Sequence, residues 1–265
     1  YKEEEVQKGE YTLDRIGIDG TLKKEFSRST RLVIGYSHEF VQIRNPTWQV
    51  EDPEQLRIKI GHEINRSAWM IFERDTRLPF FDPHRGSLTR VTARLTGGPF
   101  GGDNSYTKAT ASWARYLSFY GRSVLAVSVR VGFAEAFGVS KDRGVPEYER
   151  FFVGGASTIR GYDEREFGPG DFMLVANIEV RYPLVWKLTG VAFMDMGNVW
   201  DSIDDLRKAN FDVLVSSTEF TQRRVTDCKY SVGFGLGIQT PVGPARLDYG
   251  MRLKRAYTDS GRKEP

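Results

Sequence analysis

The clearest pattern in the sequence is a strict alternation of large apolar and small or polar residues near its end. Over residues 230–239, one face carries tyrosine, valine, phenylalanine, leucine and isoleucine, and the other carries serine, three glycines and glutamine. A period of two predicts a β-strand. Its apolar face can meet lipid or a packed core, while its glycine face leaves space for another part of the chain.

The following strand repeats this pattern and adds charge to its second face. After a tight turn at 241–244, apolar residues alternate with arginine and aspartate up to residue 253. Charges at every second position are costly in a dry core, but they suit a water-filled interior. We expect Val232, Phe234, Leu236, Leu247 and Tyr249 to face outward, and Arg246, Asp248, Glu179 and Arg181 to face inward.

Alternation of the same kind recurs upstream and predicts about ten strands and no helix. The clearest segments lie at 172–182, at 123–133 and around 91–95. Weaker alternation predicts strands near 11–26, 30–43, 57–73 and 106–119, and a mixed pattern predicts one at 188–200.

The connections between these strands alternate between short and long. Short ones are predicted near 27–29, 79–87, 120–122, 183–187 and 241–244, and long ones near 44–56, 97–105, 135–170 and 201–228. Bacterial outer-membrane barrels have short periplasmic turns and long extracellular loops, whereas a soluble sandwich has no reason to sort its loops in this way. The pattern therefore favours an all-β, antiparallel transmembrane barrel over a sandwich.

Composition agrees with a barrel and excludes other classes. The 265 residues carry 38 basic and 35 acidic side chains, so the net charge of +3 gives no reason to expect a nucleic-acid partner. A mean hydropathy of −0.44 is too low for a helical membrane protein, and no segment approaches the roughly 18 apolar residues of a spanning helix. The single cysteine, Cys228, excludes an internal disulfide and a cysteine-based metal site.

One long connection contains a motif that identifies a family. A glycine-rich lead-in with Gly154 and Gly155 is followed by Ile159-Arg160-Gly161-Tyr162. This run resembles the signature loop of the BamA-like superfamily of outer-membrane assembly and translocation barrels (BamA/TamA-like, bacterial surface antigen barrels). Segments 193–200, 241–248 and 75–87 are similar to three further motifs of that family.

The resemblance implies that residues 1–265 are part of a barrel domain. The family barrel has sixteen strands, and this sequence matches the sixth to the fifteenth; the POTRA domains are absent from it. The polar first residues contain no apolar signal-peptide core, which indicates a piece of a longer precursor. The alternative is a complete barrel of about ten strands. In a piece of a larger barrel, the strands near 11–26 and 245–254 are each expected to have one unpaired edge.

The resemblance also implies a conformational site. In the family, the signature loop, here within 135–170, folds into the barrel, and its arginine pairs with acidic residues of the wall. This implies that Arg160 contacts Asp195 and Glu179, since a confined guanidinium pairs well with carboxylates. From the residues alone, a solvated loop arginine and a turn-capping aspartate remain the alternative.

The function that the resemblance implies is the insertion and folding of β-barrel proteins in the bacterial outer membrane. A polypeptide secretion pore of the same superfamily and a passive porin are the alternatives. The expected partners are outer-membrane lipid (lipopolysaccharide or phospholipid), unfolded outer-membrane client proteins and accessory lipoproteins.

We do not expect an enzyme, a cofactor or a metal site. The three histidines are scattered along the chain, and the sequence contains no Gly-x-Ser-x-Gly nucleophile motif. A glycine-rich run at 97–102 lacks the lysine and serine or threonine of a phosphate-binding loop.

Overall fold

In a computed structural model, most of the described residues lie in β-strands. The structure describes residues 2–5, 12–44, 61–185, 188–209, 227–240 and 243–253. The strands are β1 (Lys2–Glu5), β2 (Thr12–Ser27), β3 (Thr30–Arg44), β4 (Gly61–Asp75), β5 (Gly86–Thr96), β6 (Tyr106–Ser118), β7 (Val124–Ala136), β8 (Phe151–Val153), β9 (Phe167–Gly170), β10 (Phe172–Pro183), β11 (Leu188–Trp200), β12 (Lys229–Thr240) and β13 (Gly243–Arg252). One short helix, α1, spans Ile203–Arg207, and 3-10 turns lie at Gly98–Phe100, Gly138–Ser140 and Glu147–Glu149.

Eleven of these strands form one sheet in the order β1-β2-β3-β4-β5-β6-β7-β10-β11-β12-β13. Strands β8 and β9 pair with each other in a separate hairpin. The β10–β11 ladder is antiparallel and unbroken from the Phe172–Trp200 pair to the Pro183–Thr189 pair. The predicted all-β, antiparallel organisation is therefore confirmed.

The chain divides into two compact units. Unit 1 consists of Tyr1–Asp75, Thr89–Ala111 and Gly132–Arg150. Unit 2 consists of Thr76–Leu88, Ser112–Val131 and Phe151–Pro265. In each unit we call the sheet face that packs against the connection between β7 and β10 the loop face.

In unit 1, the polarity of the sheet is the reverse of that in a soluble protein. Strand β4 buries Glu63, Asn65, Ser67 and Glu73 on the loop face, while Met70 on the other face is exposed. Buried polar groups need hydrogen-bond partners, and an exposed apolar strand face needs a lipid or protein neighbour. This inverted arrangement is typical of a membrane barrel wall.

In unit 2, strands β12 and β13 divide their residues as the alternation predicted. Phe234, Leu236, Leu247 and Tyr249 are all more than half exposed on one face. The charged side chains of Arg246 and Asp248 lie on the loop face, where both contact charged neighbours. The predicted sorting of apolar and charged residues is thus confirmed for this pair of strands.

Two expectations about local structure are wrong. The sequence predicted no helix, but α1 forms after β11 because Ser202 caps it: the Ser202 side chain accepts a hydrogen bond from the Asp205 backbone amide. The strand near 11–26 was expected to have one unpaired edge, and this is wrong for the start of β2: β1 pairs with its first four residues, from Glu5 opposite Thr12 to Lys2 opposite Arg15. The polar run of β1 has no alternation by which it could have been found.

Parts of four predicted connections lie outside the described residues. These parts are 45–56, 186–187, 210–226 and 241–242, and residues 57–60 of the strand predicted near 57–73 lie outside them as well. In the part of the chain that the structure describes, no helix has the length and apolar character required to span a membrane.

Candidate functional site

The signature loop is built on the small β8–β9 hairpin in unit 2. Phe151 pairs with Gly170 and Val153 with Phe167, so the two ends of the loop are held together. The Thr158 hydroxyl accepts a hydrogen bond from the Gly154 amide and donates one to the Gly154 carbonyl, both at 2.8 Å. These contacts fix the turn that precedes Arg160.

Arg160 connects this loop to three carboxylates of the sheet. Its Nε and Nη2 donate to the two oxygens of Asp195, at 2.7 and 2.6 Å, in a bidentate pair. Its Nη1 donates to Glu179 Oε1 at 2.8 Å and to Asp248 Oδ2 at 3.1 Å. The Arg160 backbone amide also donates to Asp195 Oδ2, at 3.0 Å. We call Arg160 with these three carboxylates the first latch.

The first latch is buried at Arg160 and Asp195 and partly buried at Glu179 and Asp248, and its charges are compensated. The side chain of Asp195 is completely buried, and the Asn177 amide donates to its Oδ1 at 2.8 Å. Burial disfavours the charge of Arg160, but hydrogen bonding to Asp195 and the negative charge of Glu179 outweigh it and raise the pKa of the guanidinium. Arg160 therefore stays charged, and the latch holds by electrostatic attraction at low local dielectric.

Stacking on an aromatic ring also holds Arg160 against the sheet. The Arg160 guanidinium carbon lies 3.5 Å from the centre of the Phe193 ring, a cation–π stacking distance. The Phe193 ring in turn covers Gly233, where an added Cβ would come within 2.4 Å of it. The mixed alternation of β11 is thus explained, because Phe193 faces the loop rather than lipid.

The other predicted loop residues shape the loop around Arg160. Ile159 and Tyr162 are buried, and the Tyr162 hydroxyl donates to the Tyr230 carbonyl at 3.3 Å. Gly154, Gly155 and Gly161 all have positive φ angles, which favour glycine.

Sequence reasoning missed two features of this site. Asp248 was expected to face inward, but not to be a partner of Arg160. The close approach of Gly161 to Gly250 was also not foreseen: a Cβ added at Gly250 would lie 2.7 Å from the Gly161 nitrogen. Arg252 then donates to the Gly161 carbonyl at 2.7 Å. In the sequence, the available signal for these contacts was the alternation of charged residues in β13, but this pattern does not show which residues the charges contact.

The carboxylates of the sheet bind more than one arginine. Arg246 donates to both Glu179 oxygens and to Asp248, so the carboxylates around Arg160 are shared between arginines. Among the described residues, no group of three or more histidine, cysteine or acidic side chains is placed to hold a metal ion.

Comparison with known proteins places this architecture in a family. The model of the Omp85 superfamily domain matches residues 2–263. The outer membrane protein assembly factor BamA of Nitratidesulfovibrio vulgaris is 32% identical over 212 residues, which cover 75% of this chain and 24% of that protein. The chain thus spans about a quarter of the length of this relative.

Two solved structures share the fold. BamA from Haemophilus ducreyi, in a form lacking POTRA domains 1–3, matches with a TM-score of 0.76 at 18% identity, over 96% of this chain and 54% of that one. CdiB from Acinetobacter baumannii matches with a TM-score of 0.55 at 14% identity, over 96% and 41%. The predicted fold class, an antiparallel β-barrel of which this chain forms a part, is confirmed by this likeness.

Proposed function

Because the chain belongs to the Omp85 superfamily, we propose that it is the barrel portion of an assembly factor that inserts and folds β-barrel proteins in the outer membrane. The predicted location, the bacterial outer membrane, agrees with this family and with the assembly factor BamA among its relatives. The exposed apolar face of strands such as β12 and β13 suits contact with membrane lipid. Its substrates are then unfolded outer-membrane proteins, and accessory lipoproteins are candidate partners.

The observation that carries this proposal is the first latch. A barrel that only conducts solutes gains little from a buried ion pair that fixes a long loop to its wall. An assembly factor, by contrast, has to keep a defined internal surface while an edge strand pairs with incoming strands through backbone hydrogen bonds. The arginine and its carboxylates therefore act in conformation and not in catalysis, and no cofactor is required.

The test is the substitution Arg160→Ala in the full-length chain. Removing one partner of a buried ion pair costs about 3–5 kcal/mol locally, because Asp195 is left charged and buried. We expect assembly of client barrels in reconstituted membranes to fall much further than the yield of folded protein. Folding is measured as heat-modifiable mobility in gels, and Arg160→Lys serves as the conservative comparison.

Two results would contradict the proposal. Equal loss of folding and assembly would indicate that the latch is only structural. A wild-type protein that folds but assembles no client would remove the assembly function itself. In that case a polypeptide secretion pore of the same superfamily becomes the better candidate, and the fold likeness to CdiB keeps that alternative open.

A further inference from the structure

The first half of the long connection is attached to unit 1 by a separate buried polar cluster. Within residues 145–150, Val145, Glu147 and Glu149 are buried. The turn itself is closed by backbone hydrogen bonds from Glu149 to Pro146 and from Arg150 to Glu147. This segment precedes Arg160 by about ten residues in the chain, and its ion pairs, from Glu149 to Arg15 and Lys108, involve other residues than those of the first latch.

Glu149 is the charged centre of this attachment. Its Oε1 accepts a hydrogen bond from Arg15 on β2 at 3.1 Å, and its Oε2 accepts one from Lys108 on β6 at 3.2 Å. Burial disfavours its charge, but the positive charges of Lys108 and Arg15 outweigh this and lower the pKa of the Glu149 carboxyl. One carboxylate from the connection therefore links two strands through charge-assisted bonds.

Tyr148 provides the second part of the attachment. Its hydroxyl donates to Glu63 Oε2 at 2.8 Å and accepts hydrogen bonds from the side-chain amides of Asn65 and Asn104, both at 3.2 Å. The body of Tyr148 packs against a small apolar cluster on β2 and β3, formed by Leu13, Val41 and Ile43.

Opening this attachment would leave a buried carboxylate with one hydrogen-bond donor fewer. The Glu63 side chain is fully buried, and withdrawal of Tyr148 would remove one of the donors that satisfy it. A buried carboxylate that loses a donor carries a desolvation penalty. The cluster on the sheet is thus complete only while residues 145–150 are in place.

We propose that Tyr148 and Glu149 are positioning residues that form a second latch, which fixes the first half of the connection to β2, β4 and β6 independently of Arg160. This inference rests on the proposed function, because the connection must be held in place for client assembly. It adds an attachment point that the signature motif does not contain.

The experiment compares three variants of the full-length chain in lipid nanodiscs by hydrogen exchange and by client assembly. Glu149→Gln removes the charge and keeps the shape. Glu73→Gln is the matched control, because Glu73 has the same low side-chain exposure and also lies between two cations, Arg31 and Arg90, on strands. In the third variant, Glu149→Lys is combined with Lys108→Glu to restore one ion pair in the opposite sense.

We expect Glu149→Gln to accelerate amide exchange in 145–150 by about ten- to hundredfold, the equivalent of losing charge-assisted hydrogen bonds. Exchange in 158–162 should change by less than about twofold, as for separate sites. The control should leave both segments protected. Client assembly should fall in Glu149→Gln more than in Glu73→Gln, and the charge-swapped variant should recover part of it.

Each contrary result has its own meaning. Unchanged exchange in 145–150 would overturn the second latch. Faster exchange there with normal client assembly would overturn its positioning role, while the Arg160→Ala result separately decides the proposed function. Equal acceleration in 145–150 and 158–162 would overturn the independence of the two latches.

Discussion

The substitution Gly250→Ala tests the close contact between β13 and the backbone of the signature loop without altering any charge. Gly250 lies on β13 directly beneath the loop backbone. A Cβ added there would stand 2.7 Å from the Gly161 nitrogen, 2.8 Å from the Arg160 carbonyl carbon and 2.9 Å from its oxygen. These are backbone atoms, so rotation of a side chain cannot relieve the overlap. Gly161→Ala would be a poorer test, because its φ of 89° already disfavours alanine.

The size of the effect follows from these distances. The loop backbone must move by roughly 0.7 Å to restore an ordinary van der Waals separation. Such a shift lengthens the bonds between Arg160 and Asp195, now 2.6 and 2.7 Å, beyond the best hydrogen-bond range. Overpacking of this kind costs about 1–3 kcal/mol, so opening of the loop should become about 5- to 150-fold more frequent.

Hydrogen exchange of residues 158–162 in membrane-embedded protein measures this opening directly. The Arg160 amide is the most informative reporter, because it donates to Asp195. Gly237→Ala is the matched control: Gly237 lies on β12 and faces the same side, but the nearest atom to an added Cβ is the Thr189 carbonyl oxygen at 3.8 Å. We expect the control to exchange like the wild type.

A Gly250→Ala variant with wild-type protection at Arg160 would refute this account of the loop. It would mean that the contact with β13 is not close enough to constrain the loop, or that the ion pairs tolerate the displacement. Equal acceleration in the Gly237→Ala control would instead trace the effect to general weakening of the β12–β13 pair.

Two further predictions concern individual carboxylates. Asp195→Asn should destabilise the loop by about 3–5 kcal/mol, and Asp248→Asn by only about 1 kcal/mol. The Asp195 carboxylate is fully buried and makes two bonds to the Arg160 side chain, whereas the Asp248 carboxylate is partly exposed and makes one. Equal exchange rates at 158–162 in the two variants would contradict this ranking. Since the folded-state pKa of Glu149 lies below its ordinary value of 4.5, its contribution to stability is complete above that pH and is lost as the pH falls through the folded-state pKa. Protection of 145–150, corrected for intrinsic exchange, should therefore be constant from neutral pH down to about 5 and decline below 4.5 in the wild type but not in Glu149→Gln.

Local alternation was sufficient to predict most of the sheet. In β12 and β13 every second residue is apolar, and a strand with one lipid-facing side permits little else. The segments predicted near 30–43 and 106–119 became β3 and β6 with closely similar bounds. The β1 strand and helix α1 could not be predicted in this way, because the first depends on pairing with β2 and the second on a single capping serine.

The sequence by itself determined which residues are charged and on which side of a strand they lie, and the signature motif indicated that Arg160 needs acidic partners. The resemblance to the family also implied two of these partners, Asp195 and Glu179, but only the tertiary structure showed that Asp248 is the third. Asp248 is 88 residues away from Arg160, and Glu63 is 85 residues away from Tyr148. Periodicity is a local property, whereas these contacts depend on the register of strands that are distant in the chain. The second latch and the Asp248 contact of the first latch therefore became visible only in the tertiary structure, where those strands lie together.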